Sequence, residues 1–216
     1  MAAQRRPYRR EAEDKRRQAL IEATLALISE GGATQATVRA IAERAGVTPG
    51  LIRHYFTSKD MLIATAYRHL MVGMTDSSAA VLNYAPDDPH ARLAAFVAAS
   101  LRPPVVDRES VTRWAYFIQE TCRSAEMLDI HRQTYLGFRD QLQSLIAALP
   151  KPRSEGELRQ MAIACNAVID GLWLEGGTLP DAFARNELAA IGLNAISAML
   201  GCDLNKYLLL LEPPAS

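Results

Sequence analysis

Residues 37–59 read TVRAIAERAGVTPGLIRHYFTSK, and no other segment constrains the fold as tightly. Val38, Ile41, Ala42 and Ala45 recur at helical spacing, which predicts a short helix with one apolar face, ending at Gly46. Gly46 supplies the left-handed backbone that a tight turn needs. A second short helix is predicted over about Thr48–Tyr55, with Thr48 as N-cap and Pro49 in the first turn, where its missing N–H is no loss. Two short helices joined through Ala45-Gly46-Val47-Thr48 form a helix-turn-helix, and the second helix of such a unit fits the major groove of DNA.

The rest of the chain is helical in pattern too. Period-two alternation is scarce, and apolar residues recur at three-and-four spacing, so the expected class is all-α with about nine helices. A first helix is predicted over Glu11–Glu30, stopped by Gly31-Gly32, and a fourth from Ser58 towards Asn83. Asp88-Pro89 opens a fifth that stops before Pro103-Pro104. A sixth covers Arg108–Ser124, and a seventh Ala125–Leu149. Ser154 and Glu157 have capping-box spacing for an eighth ending at Gly176-Gly177, and a ninth runs from near Asp181 to Leu200. The expected organisation is a basic arm (1–10), a three-helix DNA-binding domain (11–58), a six-helix ligand-binding and dimerisation domain (59–204) and a C-terminal tail (205–216).

Zero net charge conceals a division. Residues 1–70 hold 12 Lys/Arg against 7 Asp/Glu, and residues 71–216 hold 12 against 17. The +5 and −5 balances suggest a polyanion partner at the N-terminal end. Arg5, Arg6, Arg9 and Arg10 fit an arm entering a minor groove or a solvated tail, and both readings stand. Cys122, Cys165 and Cys202 form no paired framework, which points to a reducing cytoplasmic setting. No signal peptide or membrane-spanning run is visible, so no membrane partner is expected. An enzyme is disfavoured, since GxSxG, GxxxxGKS/T, HExxH and GxGxxG are all missing. His54, His69, His90 and His131 lack metal-ligand spacing, so no catalytic residue, metal or cofactor is expected.

Across residues 17–70 the sequence resembles the tetracycline-repressor (TetR) family. The resemblance rests on Ala23, Glu30-Gly31, Thr37, Ile41-Ala42, Ala45-Gly46-Val47, Gly50, Tyr55-Phe56 and Lys59 in fixed register. Gly50-Leu51-Ile52, His54-Tyr55-Phe56 and Ile169-Asp170-Gly171-Leu172-Trp173-Leu174 are similar to the betaine-operon, choline-responsive subgroup. The resemblance implies a cytoplasmic transcriptional repressor that binds a palindromic double-stranded operator as a homodimer and is released by a small-molecule effector. It implies DNA-contacting roles for Thr37, Thr48, Pro49, Gly50, Arg53, His54, Tyr55 and Lys59. Arg53 stands where many members carry tyrosine, and it either reads guanine or clamps phosphate. An activator, or a DNA-binding protein without a sensor, is the alternative.

In the larger domain, Trp114, Phe117, Ile118 and Thr121 share a helical face. With Phe96, Trp173 and the carboxylate of Glu120 they are candidates to hold a cationic effector by cation–π attraction, against the alternative of ordinary core packing. The eighth and ninth helices carry more than one apolar stripe. Cys165, Ile169, Leu172, Trp173, Gly192, Leu193, Ile196 and Met199 are therefore candidates for a dimer interface, against the alternative that the eighth helix is central core.

Overall fold

The computed structural model describes residues 5–32 and 34–211, with side chains from 13 to 208 apart from 33. Among the described residues the chain is all helical: α1 (Arg5–Gly31), α2 (Val38–Arg44), α3 (Pro49–Phe56), α4 (Lys59–Ala80), α5 (Pro89–Ser100), α6 (Arg108–Thr121), α7 (Ala125–Ala147), α8 (Glu155–Thr178) and α9 (Glu187–Leu200). Short 3-10 turns at Val81–Asn83, Pro180–Ala182 and Asn205–Leu211 complete it. No described helix is long and apolar enough to cross a membrane. No group of His, Cys, Asp or Glu among the described residues is placed to hold a metal.

Local chemistry accounts for most boundaries. Gly32, Gly46 and Gly201 adopt left-handed φ of 69°, 66° and 68° just past α1, α2 and α9, where a side chain would be strained. Thr37 caps α2 by accepting from the Ala40 N–H, and Asp88 caps α5 by accepting from the Ala91 N–H. Ser154 and Glu157 form the expected capping box on α8. Thr48 takes the extended N-cap conformation before α3, but its side chain makes no capping hydrogen bond.

Four boundaries differ from expectation. The arm placed at 1–10 is helical from Arg5, because α1 begins there; Met1–Gln4 lie outside the described residues. α8 runs through Gly176 and Gly177 rather than stopping at them. α9 starts at Glu187, not near Asp181, because Asn186 sits at φ 65°, a left-handed conformation that interrupts the helix and that asparagine tolerates. The expected tail continues as a 3-10 turn over Asn205–Leu211 that packs on α5 and α9.

The chain divides into two compact units. The first comprises Met1–Leu70 with Thr112–His131, and the second Met71–Val111 with Arg132–Ser216. In the first, α1 packs on α2 and α2 on α3, with Leu20, Ile28, Ile41, Ile52 and Leu62 sealed inside. In the second, α5, α8 and α9 pack together around Leu93, Phe96, Leu142, Ile146, Leu193 and Ile196. Burial of such side chains stabilises by roughly 1.5–3 kcal/mol each.

Candidate nucleic-acid interface and effector-domain residues

α3 divides cleanly into two faces. Ile52 and Phe56 point into the first unit, and the Arg17 guanidinium lies 5.2 Å over the Phe56 ring. Thr48, Pro49, Gly50, Arg53 and His54 are exposed. Tyr55 is half-buried, with its ring edge-on to His54 at 5.0 Å between centroids. Thr37 is exposed at the start of α2, and Lys59 is half-buried at the start of α4, where backbone N–H groups favour phosphate. A Cβ at Gly50 would meet nothing within 4 Å, so nothing inside the chain requires glycine there.

An exposed two-pronged ion pair joins the end of α2 to the end of α1. Arg44 at the end of α2 donates through Nη1 and Nη2 to the two carboxylate oxygens of Glu30, at 2.8 and 2.7 Å. The Arg44 hydrogen bond holds the Glu30 carboxyl below its ordinary range. Arg113 of α6 donates to the Ser29 hydroxyl at 2.6 Å, tying α6 to the C-terminal turn of α1. Tyr67 of α4 is fully buried. It stacks on Phe117 at 4.6 Å, and its hydroxyl lies 2.7 Å from His131 Nδ1. Burial pushes the Tyr67 hydroxyl well up and His131 down from their ordinary values.

The candidate effector residues fall in different units. Trp114, Phe117, Ile118, Glu120 and Thr121 lie on α6 in the first, and Phe96 and Trp173 lie in the second. Several are already engaged. Phe117 is committed to Tyr67, Glu120 pairs with Arg123 at 3.1 Å, and Thr121 donates to the Ile118 carbonyl. Trp114 and Ile118 are half-buried. In the second unit Phe96 packs on Phe138 at 5.0 Å, and the Trp173 indole donates to the Val105 carbonyl at 2.8 Å, the partner a buried indole requires.

The candidate dimer residues are also mostly internal. Cys165, Ile169, Trp173, Gly192, Leu193 and Ile196 are buried within one chain, and Leu172 is half-buried. A Cβ at Gly192 would run into Leu101, so this glycine serves packing inside the unit. Side chains without exposure cannot also touch a second copy. Met199 is the candidate that is exposed, and among the exposed residues of α8 and α9 it lies with other small or apolar ones, Ala164, Ala167, Gly171, Leu174, Ile191 and Ala198, beside charged and polar positions such as Glu175 and Asn194.

One polar cluster escaped the sequence reading. The Tyr135 hydroxyl of α7 donates to Asp170 Oδ2 of α8 at 2.5 Å, and Asn166 Nδ2 donates to both Tyr135 Oη (2.6 Å) and Asp170 Oδ2 (2.8 Å). Burial drives the Asp170 carboxyl up from its ordinary range, against the lowering effect of its two donors. Burial first, and the Asp170 hydrogen bond second, push the Tyr135 hydroxyl up to about 12. The available signal was an Asn and an Asp four residues apart among the apolar positions Ala162, Cys165, Ile169 and Trp173.

Comparison with known proteins agrees with this architecture. Residues 20–66 match the family described as bacterial regulatory proteins, tetR family, and residues 89–201 match the one described as BetI-type transcriptional repressor, C-terminal. The chain is 32% identical over 191 residues, 87% of this chain and 91% of the relative, to the HTH-type transcriptional regulator BetI 2 of Chromohalobacter salexigens. It superposes with a TM-score of 0.78 and 28% identity on the crystal structure of a Pseudomonas aeruginosa PAO1 protein, covering 90% and 94% of the two chains. A Saccharomonospora viridis protein crystallised in complex with choline shares the fold, with a TM-score of 0.68 and 20% identity over 84% and 95% of the chains.

Proposed function

Because the chain belongs to the tetR family of bacterial transcriptional regulators, with a BetI-type C-terminal domain, we propose that it is a homodimeric repressor that leaves a palindromic operator when a small organic effector binds. The observation that carries this reading is the two-faced recognition helix. Ile52 and Phe56 anchor it, while Thr48, Pro49, Gly50, Arg53 and His54 face outward together. Gly50 is the most telling member. Glycine weakens a helix by about 0.5–1 kcal/mol relative to alanine, and no neighbour in the chain needs the space. Close approach to a groove explains the vacancy. Thr37, Tyr55 and Lys59 serve as backbone contacts around it.

Two further elements complete the proposal. A second copy packs against the exposed small and apolar residues of α8 and α9, giving a two-fold axis that matches the operator. The effector is choline-like, a reading supported by the choline complex of the Saccharomonospora viridis fold relative.

Selection of genomic fragments on the purified dimer tests the operator reading. An enriched inverted repeat is expected, with half-sites about 34–36 Å apart or a multiple of that. Arg53→Ala should cost about 1–3 kcal/mol and relax preference at one base pair if it reads a base, whereas Lys59→Ala should weaken all sequences alike and flatten the salt dependence. Recovery of no inverted repeat overturns the proposal. Millimolar choline should then lower operator affinity, with a coupling of about 1–3 kcal/mol. Enhanced operator binding, or none of either sign, would instead favour an activator or a protein without a sensor.

A further inference from the structure

Arg17 of α1 is an exposed cation with a fixed seat. Its guanidinium lies 5.2 Å over the ring of Phe56, which is only 4% exposed and anchored inside the first unit. Other arginines of that unit are spent on protein partners: Arg44 on Glu30, Arg123 on Glu120 and Arg113 on Ser29. Among the described residues no carboxylate pairs with Arg17, and none of its N–H groups donates to a neighbour. Contact through the face of a guanidinium leaves its edge open, where the N–H groups lie. That edge matches a phosphate, which accepts two parallel N–H groups at once.

The seat stands at the C-terminal end of α3, since Phe56 is its last residue. Thr57, at φ 66°, turns the chain sharply there: its N–H donates to the Arg53 carbonyl at 3.1 Å, and the Ser58 N–H donates to the Phe56 carbonyl at 2.7 Å. Lys59 therefore opens α4 close to Phe56, with the Met61 N–H donating to Ser58 Oγ at 3.1 Å. Arg53 lies exposed in the last turn of α3. Arg17 thus joins Arg53 and Lys59 around one end of the helix. Asp60 is the acid in the first turn of α4, and among the described residues it pairs with none of the three. In a helix-turn-helix the N-terminal residues of the second helix meet the base edges, so its other end runs out towards the sugar-phosphate wall of the groove.

We infer that Arg17 is a further DNA contact: a guanidinium seated on Phe56 that takes a backbone phosphate beside the C-terminal end of the recognition helix. This rests on the reading of α3 as that helix, and it adds a residue of α1 to the contacts from α2, α3 and α4. A phosphate is the same beside every base pair, so Arg17 supplies affinity and position without sequence preference. Because Phe56 already restricts the side chain, less freedom is lost when the phosphate arrives.

The salt dependence of binding tests the inference, because a lost phosphate contact changes the number of counterions released whereas lost packing does not. Full-length protein is titrated over a range of salt concentrations with two duplexes, the selected operator and an unrelated sequence of equal length. Arg17→Met keeps a long side chain over Phe56 and removes the charge. Its plot of log affinity against log salt should be shallower by about 0.9 for each Arg17 engaged, roughly 1.8 for a dimer, on both duplexes alike. Base preference and the circular dichroism spectrum should stay as in the unaltered protein. Arg17→Lys, which keeps the charge, should recover most of the slope. If Arg17→Met does not fold, Arg17→Gln gives the same reading. A folded uncharged variant with the original slope overturns the inference, even if it binds more weakly at every salt concentration, since packing alone then accounts for the loss. So does an Arg17→Lys slope as flat as that of Arg17→Met, or a base preference altered by Arg17→Met. If the unaltered protein binds neither duplex, the regulator falls along with the contact; binding with an unchanged slope removes the contact alone.

Discussion

His131 illustrates how burial and a neighbour together set a side chain's behaviour. Its Nδ1 lies 2.7 Å from the hydroxyl of fully buried Tyr67, whose ring lies against Phe117. Burial favours the uncharged imidazole, so the folded value lies below the unfolded one. The unfolded chain therefore takes up the proton first as pH falls. The stability contributed is complete above the ordinary histidine value of about 6.5 and is lost as pH drops from there towards the folded value. Thermal melts from about pH 8 down to pH 5 should show a decline beginning near pH 6.5, and His131→Gln should flatten that part of the curve. An identical slope in both proteins would assign the decline elsewhere. Nothing in the sequence marks His131 for this environment, because Tyr67 and His131 are 64 positions apart. Thr37 and Asp88 were readable as caps because their partners are three residues away.

Glycines separate what a helix prefers from what its neighbours allow. Gly176-Gly177 reads as a stop signal along the chain, yet α8 continues through both. The reason lies in adjacent elements: a Cβ at Gly177 would press on Val111 and the Asp107 carbonyl, and one at Gly176 on Leu188 and Val106. Gly137 in α7 is exposed and meets nothing within 4 Å. Alanine is the better helix former, so opposite signs are expected. Gly137→Ala should stabilise by about 0.5–1 kcal/mol, and Gly177→Ala should destabilise by about 1–3 kcal/mol through overpacking. Chemical denaturation of the two variants measures the contrast, and a stabilised Gly177→Ala would show that the approach at α8 is slack. The helix-turn-helix was legible because turn, caps and apolar face lie within twenty-odd residues. The start of α9 was not, since it depends on the left-handed Asn186.

For the assembly, sequence pattern put the interface on α8 and α9, yet six of its eight candidate side chains are buried within one chain. An apolar position says that a side chain is covered without saying by which copy. Ile196 is 0% exposed and belongs to the chain's own interior, while Ile191, five residues earlier and on another side of the helix, is 42% exposed. Asp at these two positions should have different consequences. Ile196→Asp buries an unpaired charge and should cost several kcal/mol of fold stability, roughly 3–5, seen as a collapsed melting transition. Ile191→Asp should leave the circular dichroism spectrum intact and convert dimers to monomers in sedimentation. A folded Ile191→Asp dimer would move the interface away from α9. The Tyr135–Asn166–Asp170 cluster stayed hidden for a related reason: pairing across 31 and 35 residues is set by packing, and only its polar spacing on α8 hinted at it.

The division into two units bears on how such a protein can be taken apart. Its three crossings fall at Leu70/Met71, Val111/Thr112 and Arg132 after His131, and each lies inside a helix: α4, α6 and α7. A gene fragment ending near residue 70 would code for α1, α2 and α3 but leave out Arg113, the partner of Ser29, and Phe117 and His131, the partners of Tyr67. Moving α1–α3 into another chain therefore requires grafting a second, non-adjacent stretch of some twenty residues, Thr112–His131, and a chimera joined at one point inherits an unfinished core.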